Sequence, residues 1–224
     1  HSYRYHFSGL VLKEEMKSWA QVSLPFTEGR SRARLLFAHA VSADGTVHEL
    51  DPAALEVGSP SEEMQFFNPH RKVLSGVIPG VDVGAIVEYE YEIETYNPED
   101  PRLFFPGYYF QGTEPVIYSR AVVVVPDKVH FNYAIRNFTG KMNPDPHVED
   151  ARGMTRYTWV VEDVPPLSDE PYMPPQRDIV PMMDGSVFRS FDEVYALQRE
   201  LQQARMKVTP DIEAAVAGII EGAQ

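Results

Sequence analysis

The stretch at residues 84–96, GAIVEYEYEIETY, decides how the rest of the chain is read. Val87, Tyr89, Tyr91, Ile93 and Thr95 fall on one side of an extended backbone, and Glu88, Glu90, Glu92 and Glu94 fall on the other. Successive side chains of a strand point to opposite faces. Such regular alternation marks an antiparallel strand with one face in a core and one in water. Carboxylates two apart on a strand project together and could attract a hard cation or a basic partner. Charges on the exposed face of a strand also keep a sheet soluble and discourage edge pairing, and that use accounts for them more simply.

Working outward, the period of two continues through about residue 163, with segments separated by Gly, Pro, Asn and Asp, as antiparallel strands require. Further strands are predicted at Tyr3 to Leu12, Met16 to Leu24, Lys72 to Ile78, Val116 to Val125, Val129 to Arg136 and Met154 to Glu162. Val122 to Val125 lacks polar alternation, which suits a central strand covered on both faces. The apolar-rich run from Arg34 to Leu50 is cut by Asp44-Gly45, the pair favoured in a type I′ hairpin turn. That register sets Val41 opposite His48 and leaves His39 diagonal to it on the same face, close enough for two imidazoles to share a metal. No third ligand is visible, so no metal is expected there.

The 224 residues carry 20 basic and 33 acidic side chains, a net charge of −13. A surface this negative repels phosphate backbones and anionic bilayers, so neither nucleic acid nor membrane surface is an expected partner. The longest apolar runs, Ala121 to Val125 and Ala214 to Ile220, fall far short of the about 18 residues of a membrane span, and the chain is expected to be soluble. The opening residues, HSYRYHF, contain no basic and apolar leader, so a signal peptide is expected to be absent or already removed. The chain contains no cysteine, which excludes a disulfide, a thiolate zinc site and a cysteine nucleophile within these residues.

Six prolines between 165 and 181 (165, 166, 171, 174, 175 and 181) remove too many amide donors for a ladder or a helix, and read as an extended strap. After it the period changes. Phe191, Val194, Tyr195, Leu197 and Leu201 recur at three and four residues, with Ser190 placed to cap and Glu193 three residues on. A second helix follows with Thr209 as cap, Pro210 in the first turn, and Ile212, Val216, Ile219 and Ile220 on one side. The pair has apolar faces and little else to pack on, as the opening of another domain would.

Other clusters are weaker. Asn143, Asp145, Glu149 and Asp150 offer oxygen ligands without the spacing or glycine of a calcium loop. Phe104, Phe105, Tyr108, Tyr109 and Phe110 surround Pro106-Gly107. Tyr108 and Tyr109 are candidates for stacking on a sugar or peptide ligand, although core packing serves the same residues. No GxSxG elbow, HExxH helix or phosphate-cradling glycine loop is present. Neither a cofactor nor a catalytic residue is expected.

Four segments together suggest a family: AHAVSADGTVHELDP with its Asp44-Gly45 hairpin, RKVLSGVIPGVDVGAIVEYEYEIE, YYFQGTEPVIYSRAVVVVP with Glu114-Pro115-Val116, and YTWVVEDVPPLSDEPYMPP with Tyr157-x-Trp159 and Glu170-Pro171. Their order and spacing over residues 4 to 190 resemble the bacterial domain of unknown function 3857, the β-rich domain that precedes transglutaminase-like domains. The resemblance implies a mainly β fold: a large antiparallel β-sandwich over 1–164, similar to the N-terminal sandwich of M1 aminopeptidases. A proline-rich strap over 165–189 would complete or leave it. The short helical C-terminal tail over 190–224 would begin the next, transglutaminase-like domain. It further implies an exported bacterial protein whose downstream domain has a papain-like fold using Cys, His and Asp. This chain would be its non-catalytic accessory part, packing against that partner domain through the strap and helical tail and forming one wall of its substrate cleft. Trp159, Glu170 and Tyr172 are then candidate anchors, and packing within the domain accounts for the same residues. A cell-wall glycan or peptide binding module is the rival reading.

Overall fold

The computed structural model describes residues 1–60, 68–140, 142–150, 152–168, 170–203, 206 and 208–221. The chain is mainly β and divides into two compact units, His1–Leu103 and Phe104–Gln224. The sequence reading had no boundary near 103, because the period of two runs through it.

The first unit contains β1 (Ser2–Leu10), β2 (Gln21–Thr27), β3 (Ser31–Val41), β4 (Val47–Glu49), β5 (Glu56–Gly58), β6 (Arg71–Val77) and β7 (Ile86–Thr95). One sheet has the order β1-β7-β3-β4 and the other β2-β6-β5, all pairs antiparallel. Val22 and Leu24 of β2 meet Ala38, Ala40 and Val87 of the facing sheet, with Val11 and Ile78 beside them, in one buried cluster. The strand that opened the sequence reading is β7, central in its sheet. Its four glutamates are not bare: Arg32 pairs with Glu94, Arg34 with Glu92, Arg4 with Glu90 at 3.5 Å, and His6 with Glu88 at 2.8 Å. Half-exposed cross-strand pairs of this kind contribute little stability each, but they fix register.

Two expectations fail in this unit. Met16 to Leu24 is not one strand. Glu14–Ala20 is a 3-10 helix that buries Met16 and Ala20, and β2 begins only at Gln21. The Met16 thioether accepts the Leu12 amide at 3.2 Å, so a side chain supplies a contact that strand pairing would otherwise make. The hairpin at Asp44-Gly45 also differs in detail. Gly45 has φ +88° while Asp44 is not among the non-glycine residues with positive φ, so the turn is not type I′. The Ser42 amide bonds to Thr46, and the strands pair as Val41 with Val47 and Ala40 with His48. This one-residue difference from the expected register turns His48 to the face opposite His39.

The second unit contains β8 (Gly107–Tyr109), β9 (Val116–Pro126), β10 (Asn132–Arg136), β11 (His147–Asp150), β12 (Met154–Val164) and β13 (Met182–Ser186). Its sheets have the orders β10-β13-β8 and β11-β12-β9. They close on a cluster that includes Trp159, Phe110, Val123, Val161 and Met183. β9 is not a central strand covered on both faces. It lies at the edge of its sheet, and its exposure alternates: Val123 and Val125 are buried, whereas Val122 and Val124 are 39% and 41% exposed. Val129 to Arg136 shortens to β10, because the Val129 amide turns back to Pro126. β13, missed in the sequence, is the middle strand of its sheet despite following Pro181 and containing Gly185.

A single helical turn, α1 (Gln176–Ile179), interrupts the strap, and two longer helices follow: α2 (Phe191–Gln203) and α3 (Pro210–Glu221). The cap expected for α2 forms, with the Ser190 hydroxyl accepting the Glu193 amide, while the Glu193 carboxylate reaches one residue past the N-cap and accepts the Arg189 amide. Thr209 caps α3 through the Ile212 amide. No helix of the described residues is long and apolar enough to cross a membrane.

Candidate functional site

The strap provides the most unusual local geometry. Pro171 fixes φ for the second position of a four-residue turn, and the Met173 amide closes it on the Glu170 carbonyl at 3.3 Å. Tyr172 occupies the third position with φ +65°, the left-handed conformation that such a turn ordinarily reserves for glycine or asparagine. Its ring is fully exposed. The Glu170 amide donates to the Met173 thioether at 3.1 Å, and the Glu170 side chain points to solvent. A bulky residue held in a strained conformation with nothing packed on it is unexplained by the folding of its own unit.

Trp159 is placed differently. It is 1% exposed at the centre of the second core. Its indole N–H donates to the Pro144 carbonyl at 3.2 Å, and its ring meets Tyr133 edge-on and Tyr157 in a stack. Both its area and its polar group are used inside the unit, so the packing role stated for it is the one the structure gives. Of the three candidate anchors, Glu170 and Tyr172 sit together at an exposed turn and Trp159 does not join them.

Nor do the aromatics around Pro106-Gly107 form one platform. Strand alternation sends Tyr108 and Tyr109 to opposite faces of β8. Tyr108 is half-buried, edge-on to Phe110, with its hydroxyl 3.0 Å from that of Ser119. Tyr109 is 45% exposed, opposite Met182 in the ladder. Phe105 stacks on Phe188, and Phe110 is buried.

Among the described residues, the ionisable groups sit in small, separate sets. His39 Nε2 lies 3.3 Å from Glu88, whose other carboxylate oxygen meets His6, so one carboxylate stands between two imidazoles. Nothing in the local sequence marks this triplet, since His6 and Glu88 are 82 residues apart. His48 instead meets the Ser42 hydroxyl at 2.9 Å. Asn143 accepts the Asp145 amide in a local turn, while Glu149 and Asp150 lie in β11. Among the described residues no group of three or more His, Cys, Asp or Glu is placed to hold a metal ion. Arg102, through side chain and backbone amide, holds the Asp100 carboxyl down to about 2, and this exposed pair closes a turn. A shallow hollow of about 530 Å³ on the first unit is lined by β2, β6 and the Ala54–Glu56 segment, with Glu56 its one ionisable group.

Comparisons with known proteins bear on the family and the fold. The chain resembles the crystal structure of a "putative protease" from Parabacteroides distasonis ATCC 8503, with a TM-score of 0.74 and 18% identity. The match covers 84% of this chain and 37% of that one, so the present chain spans little more than a third of its neighbour's length; at this identity the likeness is one of fold. No curated protein matches. The family model described as a domain of unknown function with a solved structure, DUF3857, matches residues 1–168. The chain belongs to the family of the domain of unknown function DUF3857.

Proposed function

We propose that this chain is the non-catalytic accessory part of a larger, exported bacterial protein, packing against a downstream transglutaminase-like domain of papain fold and helping to shape its substrate cleft. The observation that carries the proposal is the uncovered apolar face of the terminal helices. Phe191 and Tyr195 of α2 are 79% and 57% exposed, and Ile212, Val216, Ile219 and Ile220 of α3 are all half-exposed or more. Full burial of such a side chain is worth about 2 kcal/mol, so covering the four aliphatics of α3 would add about 4 kcal/mol. A partner domain provides that cover. The Glu170–Tyr172 turn is the second contact in this reading, with the exposed ring as an anchor and the carboxylate as its polar neighbour. The absence of cysteine places any thiolate nucleophile outside these 224 residues.

The test is limited proteolysis with peptide mapping, on this chain and on the native protein extended past Gln224. Early cleavage within 191–221 of the chain, and protection of the same residues in the extended protein, is the expected result. Helices as resistant as the strands in the chain alone, or equally labile in both proteins, would overturn the accessory reading. A native reading frame with no Cys, His and Asp in the following domain would remove its enzymatic part.

A further inference from the structure

The second unit has a long edge strand of a kind that natural sheets usually blunt. β9 pairs with β12 along one side only; on its other side, among the described residues, the Val129 amide bonds to the carbonyl of the last residue, Pro126, and the backbone from Val116 to Val125 is left open. It is 11 residues long, about 36 Å of ladder. Its exposed side chains include Ile117 at 81% and Tyr118 at 54%, besides Val122 and Val124.

The other sheet edges are each blunted. β2 has Pro25 in its middle, and β1 presents Arg4 and His6. β4, β5 and β8 are three residues long. β11 is four residues with His147, Glu149 and Asp150, and β10 is five residues ending in Arg136. Short strands, prolines and charges are the usual means of preventing strand addition. β9 has only Arg120, and its proline stands at the end. We propose that the free edge of β9 is a docking site for an extended peptide segment that alternates apolar with acidic residues and joins the sheet as a further strand.

Charge and alternation define the occupant. On one face of β9 lie Ala121, Val123 and Val125, all buried, so a strand beside them must continue that face with apolar side chains. On the other face Arg120 is exposed and forms no ion pair among the described residues; Glu162 of β12, opposite Tyr118, is its diagonal neighbour. A carboxylate on the added strand completes this position. A second copy does not fit. β9 contains no acidic residue to offer Arg120, and two chains of net charge −13 repel each other far more than one chain repels a peptide with two or three carboxylates. This edge would bind peptide whether or not a further domain follows the chain.

The experiment uses fluorescence anisotropy with a labelled Gly-Val-Glu-Val-Glu-Val-Gly peptide, its lysine counterpart, and two N-methylated forms of the glutamate peptide, each lacking amide donors along one edge. Saturable binding of the glutamate peptide is expected, at least tenfold tighter than the lysine peptide. One N-methylated form should bind normally and the other not at all. Arg120→Glu should reverse the preference with an unchanged melting temperature, since that side chain is exposed. Several results would overturn the proposal: no saturable binding, equal affinity of both charge types, equal binding of both N-methylated forms, or no effect of Arg120→Glu. A dimer of the chain at micromolar concentration that the peptide dissolves would also overturn it, in favour of a second copy.

Discussion

Replacing Tyr172 by glycine should stabilise the isolated chain, although it deletes a whole aromatic side chain. At φ +65° the tyrosine Cβ crowds the following carbonyl, which costs about 1–2 kcal/mol. The ring is fully exposed, so its removal forfeits no burial. Glycine relieves the crowding but adds freedom to the unfolded chain, worth about 0.5–1 kcal/mol in the other direction. The difference is a gain of about 0.5–1 kcal/mol. In a unit the size of Phe104–Gln224 that corresponds to a rise of about 2–4 °C in Tm. Tyr172→Ala separates the two contributions, because alanine keeps the crowding and loses the ring; it should leave Tm within about 1 °C. Differential scanning calorimetry of the three proteins reads the comparison directly, with the transition of the first unit as an internal reference. A glycine variant that melts at or below the parent, or an alanine variant that gains as much as glycine, would refute the reasoning. The proposed docking of a downstream domain on this turn makes a further demand: in a protein that carries that domain the sign should invert, because the contact is then lost along with the strain.

Other consequences can be checked independently. Gly80→Ala places a methyl group against the His48 imidazole at φ +70°, and should cost about 2–4 kcal/mol in urea unfolding of the first unit, part of it recovered in the His48→Ala background. Trp159→Ala should cost the second unit about 3–5 kcal/mol, and Trp159→Phe less, mainly through the lost bond to Pro144. Burial raises the Tyr89 and Tyr91 phenols above their ordinary pKa of 10.0. Their contribution to stability is therefore complete below pH 10 and falls as pH rises through the folded values, so a 295 nm titration should show these two tyrosines ionising last, with alkaline unfolding; tyrosine titration complete near pH 10 without unfolding would contradict this. Arg102 lowers Asp100 from 3.8 to about 2, so the pair's small contribution is present above pH 4 and lost as pH falls toward 2, and Asp100→Asn should flatten that part of the acid limb.

What the sequence made legible was the local and periodic part of the fold. The alternation of β7 predicted its two faces, and the Ser190 and Glu193 spacing predicted the α2 cap, because both depend on residues within one element. Contacts set by other parts of the chain were not legible. The hairpin at Asp44-Gly45 was recognised, but the register turned on the conformation of one residue, and that reversed the face of His48. β13 has the composition MMDGS and gains its place only from β10 and β8 on either side. Among the candidate site residues, nothing in the spacing of Trp159, Glu170 and Tyr172 separated a core tryptophan from an exposed strained tyrosine. That distinction is one of burial and backbone angle.

The run Val122 to Val125 sits in an environment that its composition does not fit. An uninterrupted apolar segment normally signals burial on both faces, and the expectation of a central strand followed from that rule. The structure keeps the apolar residues and withholds the cover: β9 has a neighbour on one side, and two of these four valines face solvent. A sequence whose composition asks for cover on both faces, in a fold that supplies it on one, breaks consistency between local pattern and tertiary environment. Such breaks concentrate where function has been selected over stability. Two such features among the described residues, the open edge of β9 and the exposed helix faces after residue 190, carry the two proposals made above. An edge suits an extended strand and an apolar helix face a packed domain, so the proposed peptide binding and the proposed domain docking are separable, by Arg120→Glu in the first case and by substitutions on α3 in the second.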